Sequence, residues 1–197
     1  MVKRIISIII AILRQIRMLP IRNKFGKCGK WVTFGRLNRI VGGKNIVIGD
    51  HCSFGNNLRI EAICHYGGGK YNPSIIIGNK VAINQNFHCT CATSIDIGDG
   101  TSITANCGVF DIIHPYEDIN INPREAMIQS KPIIIGKDCL IGMNSVILPG
   151  TQLGSHCVVG ANSTVSGVFP DYCVIAGSPA IIIKRYDSNL NKWVRVE

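Results

Sequence analysis

The sequence predicts an all-β protein wound as a parallel β-helix, and three observations carry that prediction. An apolar residue returns at every sixth position through most of the chain. Glycine follows that residue in eight of fifteen cases, where a backbone must turn or approach another closely. With 21 glycines and only 7% aromatic residues, the composition favours a fold of backbone turns over a large aromatic core. The 197 residues suffice for one good-sized domain, and 46% apolar against 17% charged content excludes a disordered or collagen-like chain.

Residues 1–44 form the first segment and hold 11 Lys or Arg with no Asp or Glu, although the whole chain has a net charge of only +9. Such a patch suits an anionic surface. No zinc finger, basic zipper or aromatic-interleaved motif accompanies it, so nucleic acid is not an expected partner. At 100° per residue, Ile5, Ile8, Ile9, Ile12, Leu13, Ile16 and Leu19 share one helical face and Lys3, Arg4, Arg14 and Arg17 the other. A helix is therefore expected over 3–19, ended by Pro20. It would cap the first coil, as any solenoid requires, or lie in the surface of an anionic membrane. Arg14 and Arg17 stand where a signal peptide would need a small-residue cleavage site. No apolar run approaches the roughly 20 residues of a membrane span.

The repeat occupies residues 45–187. Its leading positions are Ile48, Phe54, Ile60; Ile77, Ile83, Cys89; Ile97, Ile103, Val109; Ile135, Ile141, Ile147; and Leu153, Val159, Val165. Period six fits neither a helix nor a simple alternating strand. It fits about five 18-residue coils, each of three short strands, stacked so that their interiors join into one core. The fourth residue after each leading one should also face inward, and Cys52, Cys64, Cys107, Cys139 and Cys157 stand there. With Cys89 they read as small buried hydrophobes, leaving Cys28, Cys91 and Cys173 outside the register. Nine cysteines without a CxxC pair point to free thiols in a reducing cytoplasm. Insertions at 66–76 and 115–134 interrupt the coils, and residues 188–197 read as a tail. A twenty-residue excursion from so regular a scaffold is commonly functional. His114 stands at its mouth.

This register resembles the hexapeptide repeat of the left-handed β-helix acyltransferases, over Ile46 to about Arg185. Left-handedness is what the resemblance implies, since crossover connections are otherwise right-handed. Within the superfamily the chain is similar to galactoside, maltose and xenobiotic O-acetyltransferases and to surface-polysaccharide acetyltransferases. Ile97-Gly98-Asp99 to His114-Pro115, Pro132 to Gly136, and Val159 to Ser163 through Ala176-Gly177-Ser178-Pro179-Ala180 carry the likeness. It implies acetyl-CoA as co-substrate, no metal, a carbohydrate acceptor, a homotrimer, and His114 as the catalytic base. It further implies Asn84 near the reacting groups across the subunit interface. Asp111 is a candidate to orient the histidine ring or meet substrate. Met143, Ala161, Ser166 and Gly167 would contact the pantetheine arm, and Lys184 and Arg185 the adenosine-phosphate end. Cys91 and Ala92 replace the paired aspartates of galactoside-type members, which weakens a small galactoside as acceptor.

The expected activity is CoA-dependent O-acetylation of a sugar in a surface polysaccharide or its precursor, in the cytoplasm or on the inner face of the membrane. The alternative is N-acetylation of a nucleotide-linked amino sugar. A serine acetyltransferase would carry a long helical N-terminal domain. A zinc carbonic anhydrase on the same coil would need a close histidine pair, whereas His51, His65, His88, His114 and His156 are nowhere closer than fourteen residues. A purely structural β-helix leaves the loop beside His114 without a use.

Overall fold

The computed structural model describes residues 18–196. Three sheets form the sides of a triangular prism, and each coil contributes one strand to each sheet. The first sheet runs from Lys27–Cys28 through Ile46–Ile48, Ser74–Ile77, Ser94–Ile97, Ile133–Ile135 and Gln152–Leu153 to Val168–Phe169. The second begins at Thr33–Phe34 and reaches Cys173–Gly177. The third stacks Leu37–Val41, Leu58–Ala62, His88–Cys91, Gly108–Phe110, Val146–Ile147 and Thr164–Val165. Pairing between successive coils is parallel, as in Ile77 beside Ile97 and Ile135 beside Leu153.

The five expected coils are present, and a sixth precedes them. Cys28 pairs with Ile48, Phe34 with Phe54 and Ile40 with Ile60, so the period-six register already runs through 28, 34 and 40. The boundary at residue 45 therefore falls between two coils. Phe25, Phe34 and Phe54 stack at 5.4 and 4.9 Å and fill the open end. Beyond them residues 18–22 are helical, with Met18 and Ile21 packed on the core. Pro20 does not end the helix: it lacks only its own N–H, and the Asn23 N–H still closes a turn on the Leu19 carbonyl at 3.1 Å. The rest of the expected 3–19 helix lies outside the described residues.

The other end departs from expectation in two ways. Leu153 pairs with Phe169 and Val159 with Ile175, so the last coil is two residues short, and Phe169 takes a leading position. Within the expected tail, the described residues 188–196 include a strand. Lys192–Arg195 pairs antiparallel with Ala180–Asp187, which itself pairs back on Cys173–Gly177, so two strands close the second sheet.

The leading residues fill the prism; Ile48, Ile77, Ile83, Ile103 and Ile135 are among the fully buried side chains. At about 1.5–3 kcal/mol for each buried aliphatic side chain, this column drives the stacking. The fourth positions have a second task. Thr101 Oγ1 donates to the Gly136 carbonyl at 2.9 Å and Ser145 Oγ to that of Gly160 at 2.9 Å. The thiols of Cys52, Cys107 and Cys139 do likewise to Gly78, Gly142 and Gly154. Cys, Ser and Thr interchange there because each is small and carries a donor for the next coil. Cys64 is half-buried, in contrast to its expected core place, while Cys91 and Cys173 are buried. Cys91 enters because the strand His88–Cys91 runs two residues past Cys89 and returns to the same inward face, and Cys173 because the shortened coil restores it to a fourth position.

The three corners are unequal. From first to second sheet, and from second to third, the spacing is always six. At the third corner, where one coil passes to the next, it varies from four (Val165 to Phe169) to twenty-six (Val109 to Ile135). Both insertions leave from this corner. The second corner is locked by an asparagine ladder: Asn57, Asn86, Asn106, Asn144 and Asn162 pass side-chain amide bonds from coil to coil at 2.8–3.0 Å. All five adopt positive φ, which asparagine tolerates better than most residues.

Candidate functional site

The third corner holds the expected base. Past Gly108–Phe110 the chain leaves the coil through Ile112–Ile113, which pairs antiparallel with Gln129–Ser130 of the returning loop. His114 follows this short ribbon and is exposed, as a base must be to meet a hydroxyl. Its ring stands edge-on to Tyr66, 5.3 Å between centroids. Tyr66 belongs to the shorter insertion, whose hairpin pairs His65–Tyr66 with Gly69–Lys70. The hairpin abuts the long loop so closely that a Cβ on Gly67, at φ +54°, would lie 2.3 Å from the Ala126 carbonyl oxygen. The two insertions thus form one wall around His114.

Asp111 neither orients that ring nor faces substrate. It is fully buried, and its oxygens accept the backbone N–H groups of Ala92 and Thr93 at 2.8 Å each, with the Cys91 thiol at 3.2 Å. Burial raises its pKa, opposed by these bonds. Its own carbonyl accepts the Lys131 N–H at 2.8 Å. A contact between Thr93 Oγ1 and Ser130 Oγ at 2.5 Å completes a brace joining the corner at 91–93 to both ends of the long loop. The strand leading to His114 is thereby fixed through backbone. Sequence reasoning missed this brace, which depends on partners far along the chain, and it missed Tyr66.

The remaining expected residues divide between corners. Asn84 is exposed at the second corner, its backbone N–H bonded to the Ile103 carbonyl at 2.9 Å. Met143 and Ala161 lie along the same corner in later coils, both exposed. Ser166 and Gly167 stand at the third corner, Gly167 at φ +117°. Lys184 and Arg185 are exposed on the strand that closes the second sheet. Asn84 and His114 therefore flank the third sheet from opposite sides. Its width, five or six residues at about 3.3 Å each, keeps them roughly 15–20 Å apart. One protomer brings His114 together with Ser166 and Gly167 on one edge, and Asn84 with Met143 and Ala161 on another. Among the described residues no cluster of His, Cys, Asp or Glu suits a metal ion.

Comparisons with known proteins place this three-sided parallel coil in a class. Residues 132–166 match the family model described as the hexapeptide repeat of succinyl-transferase. The chain is 35% identical over 156 residues, covering 76% of each chain, to WbbJ of Escherichia coli K12, named as a lipopolysaccharide biosynthesis O-acetyl transferase. The chain belongs to the hexapeptide-repeat acetyltransferases, whose β-helix is left-handed. Two solved structures share the fold. A hexapeptide-repeat acetyltransferase of Vibrio cholerae, complexed with acetyl coenzyme A, is 24% identical with TM-score 0.58, covering 85% of this chain and 74% of that one. The N-acyltransferase AntD of Bacillus cereus, in complex with dTDP and 3-hydroxybutyryl-CoA, is 20% identical with TM-score 0.69, covering 89% and 90%.

Proposed function

We propose that this enzyme transfers the acetyl group of acetyl-CoA to a sugar hydroxyl of a surface polysaccharide or its precursor. The observation that carries this reading is an exposed histidine at the third corner of a chain 35% identical to a lipopolysaccharide O-acetyl transferase. The thioester is already activated, so the chemistry asks for one proton acceptor within hydrogen-bond reach of the hydroxyl. His114 takes that proton as the oxygen attacks the thioester carbon. Backbone N–H groups at the coil corners are the donors available to the tetrahedral oxyanion. As the intermediate collapses, the C–S bond breaks and the imidazolium returns the proton to the CoA thiolate.

The working unit in this proposal is a homotrimer in which the Asn84 edge of one copy meets the His114 edge of the next. The division of the site residues between two corners supports it. So does the long loop, which presents Tyr116, Ile119 and Met127 to solvent, Ile119 at 94% exposure; a second copy would cover such apolar surface. Met143, Ala161, Ser166 and Gly167 line the pantetheine path between copies, and Lys184 and Arg185 offer positive charge for the adenosine phosphates. Residues 3–19 serve as a peripheral contact with anionic membrane on the cytoplasmic side, suited to a membrane-linked acceptor; among the described residues no helix is long and apolar enough to cross one.

The test is acetyl transfer by the His114→Ala variant. Transfer should fall by about 10²–10⁴-fold, the contribution of one positioned general base, with acetyl-CoA affinity little changed. Near-normal turnover by a folded variant would remove His114 from the mechanism. Product mass with nucleotide sugars, lipid-linked oligosaccharides and finished polysaccharide separates O-acetylation from the N-acetylation of an amino sugar.

A further inference from the structure

The outer face of the third sheet carries a charged group that proton transfer at His114 does not use. Glu61 projects away from the core, since its neighbours Ile60 and Ala62 point inward, yet it is only 4% exposed. Two guanidinium groups cover it. Arg39 Nε lies 2.8 Å from Oε1, Arg59 Nε donates to Oε2 at 2.9 Å, and Arg59 Nη2 lies 2.9 Å from the same oxygen. Parallel register sets this arrangement, with Arg39 beside Arg59 and Arg59 beside His88 on successive coils. His88 Nε2 lies 3.1 Å from Thr90 Oγ1 and 3.5 Å from Glu61. Burial and the neighbouring Arg59 push the His88 pKa down, against the opposing pull of Glu61.

One carboxylate therefore holds two cations, and a positive charge is left over. Each guanidinium carries five N–H donors in a fixed fork, and Glu61 occupies few of them. The side chains of Arg39 and Arg59 are 62% and 42% exposed, so most donors face solvent while the buried carboxylate holds the forks in place. Such forks match the oxygens of a carboxylate or phosphate. Beside Arg59 a cavity of about 300 Å³ opens, lined by Asn38, Asn57, Arg59, Asn86, Phe87 and His88. It lies toward the second corner, two residues along the chain from Asn84.

We infer that Arg59, on the wall of this cavity, and Arg39 beside it, both held over Glu61, bind the carboxylate or phosphate of an acidic acceptor sugar and make the enzyme selective for an anionic glycan. This rests on the sugar acetyltransferase reading and names the class of sugar. Neutral members of the cavity wall, Asn38, Asn57 and Asn86, supply donors and acceptors for the ring hydroxyls, while the surplus charge selects the acid.

Full-length enzyme would be assayed with acetyl-CoA and three acceptors: methyl glucuronide, glucose 6-phosphate and methyl glucoside. One charged acceptor should exceed the neutral one in kcat/KM by about tenfold or more, equivalent to about 1.4 kcal/mol, and the better of the two identifies the anion. Arg39→Gln should erase most of that preference. Arg59→Lys, which keeps charge and protects Glu61 from standing alone, should leave only part of it because the fork is lost. Equal kcat/KM for charged and neutral acceptors, or a preference that survives both substitutions, overturns the inference. Calorimetric titration of the glucuronide and the sugar phosphate separates this from the wider reading. Binding that weakens in Arg39→Gln upholds the anion site even if none of the three is acetylated. No binding of either anion by the wild-type chain overturns it.

Discussion

His114, the proposed base, shows how little of such a role resides in the residue itself. Its side chain has no hydrogen-bond partner among the described residues, only the edge of Tyr66, and its position is set by Asp111 three residues earlier through backbone. The His-Pro pair at a loop mouth was legible in the sequence; the brace was not, because Ala92, Thr93 and Lys131 become neighbours of Asp111 only when coils stack. The cysteines were legible in part. Period six located Cys52, Cys89, Cys107, Cys139 and Cys157 in the core, but Cys91 and Cys173 are buried where the spacing changes, and Cys64 loosens where an insertion begins. Labelling native protein with a bulky thiol reagent should modify at most Cys28 and Cys64 rapidly; five or more fast thiols would contradict the coil register. Burial raises the pKa of the Cys52 and Cys107 thiols, so their thiolates, the reactive form, are scarce as well as hidden.

The corners are the elements that divide structure from function. Two keep a constant spacing of six and hold the prism together; the third absorbs every change in length and carries both insertions. A loop can leave there without disturbing the Ile83-type and Ile147-type strands, which stay in register on either side. The second corner is kept regular by its asparagines, and their contribution is measurable. Asn106 donates to Asn144 and accepts from Asn86 at φ +61°. Asn106→Ala should lose about 1–3 kcal/mol, from two partly solvated hydrogen bonds and a left-handed backbone that alanine resists. Asn106→Gly, free of the backbone penalty, should lose less, and equal losses by chemical denaturation would contradict that division. The extra first coil was also present in the register of Cys28, Phe34 and Ile40. Charge masked it: the basic residues of the first segment, and Asn38 and Lys44 at fourth positions, made a cap appear more natural than a coil.

At the scale of the whole molecule the prism gives the geometric reason for the proposed assembly of copies. Its sides are flat sheets, and the two groups of site residues stand on corners separated by the full third sheet. In the proposed ring, copies related by one rotation use a head-to-tail contact, so each interface would receive Asn84 from one copy and His114 from its neighbour. The fold was readable from periodicity because each coil repeats the same packing problem. The site was readable only as two half-lists, since nothing in a single chain's spacing says which corners face each other in an assembly.

Complementation tests that claim most directly. Asn84→Ala and His114→Ala chains would be denatured, mixed in equal amounts and refolded together, beside each variant refolded alone and wild type. Each variant alone should be severely impaired. In random mixed trimers about one interface in four combines an intact Asn84 with an intact His114, so acetyl transfer should return to about a quarter of the wild-type level. A mixture no more active than the two variants refolded separately would contradict a site assembled between copies.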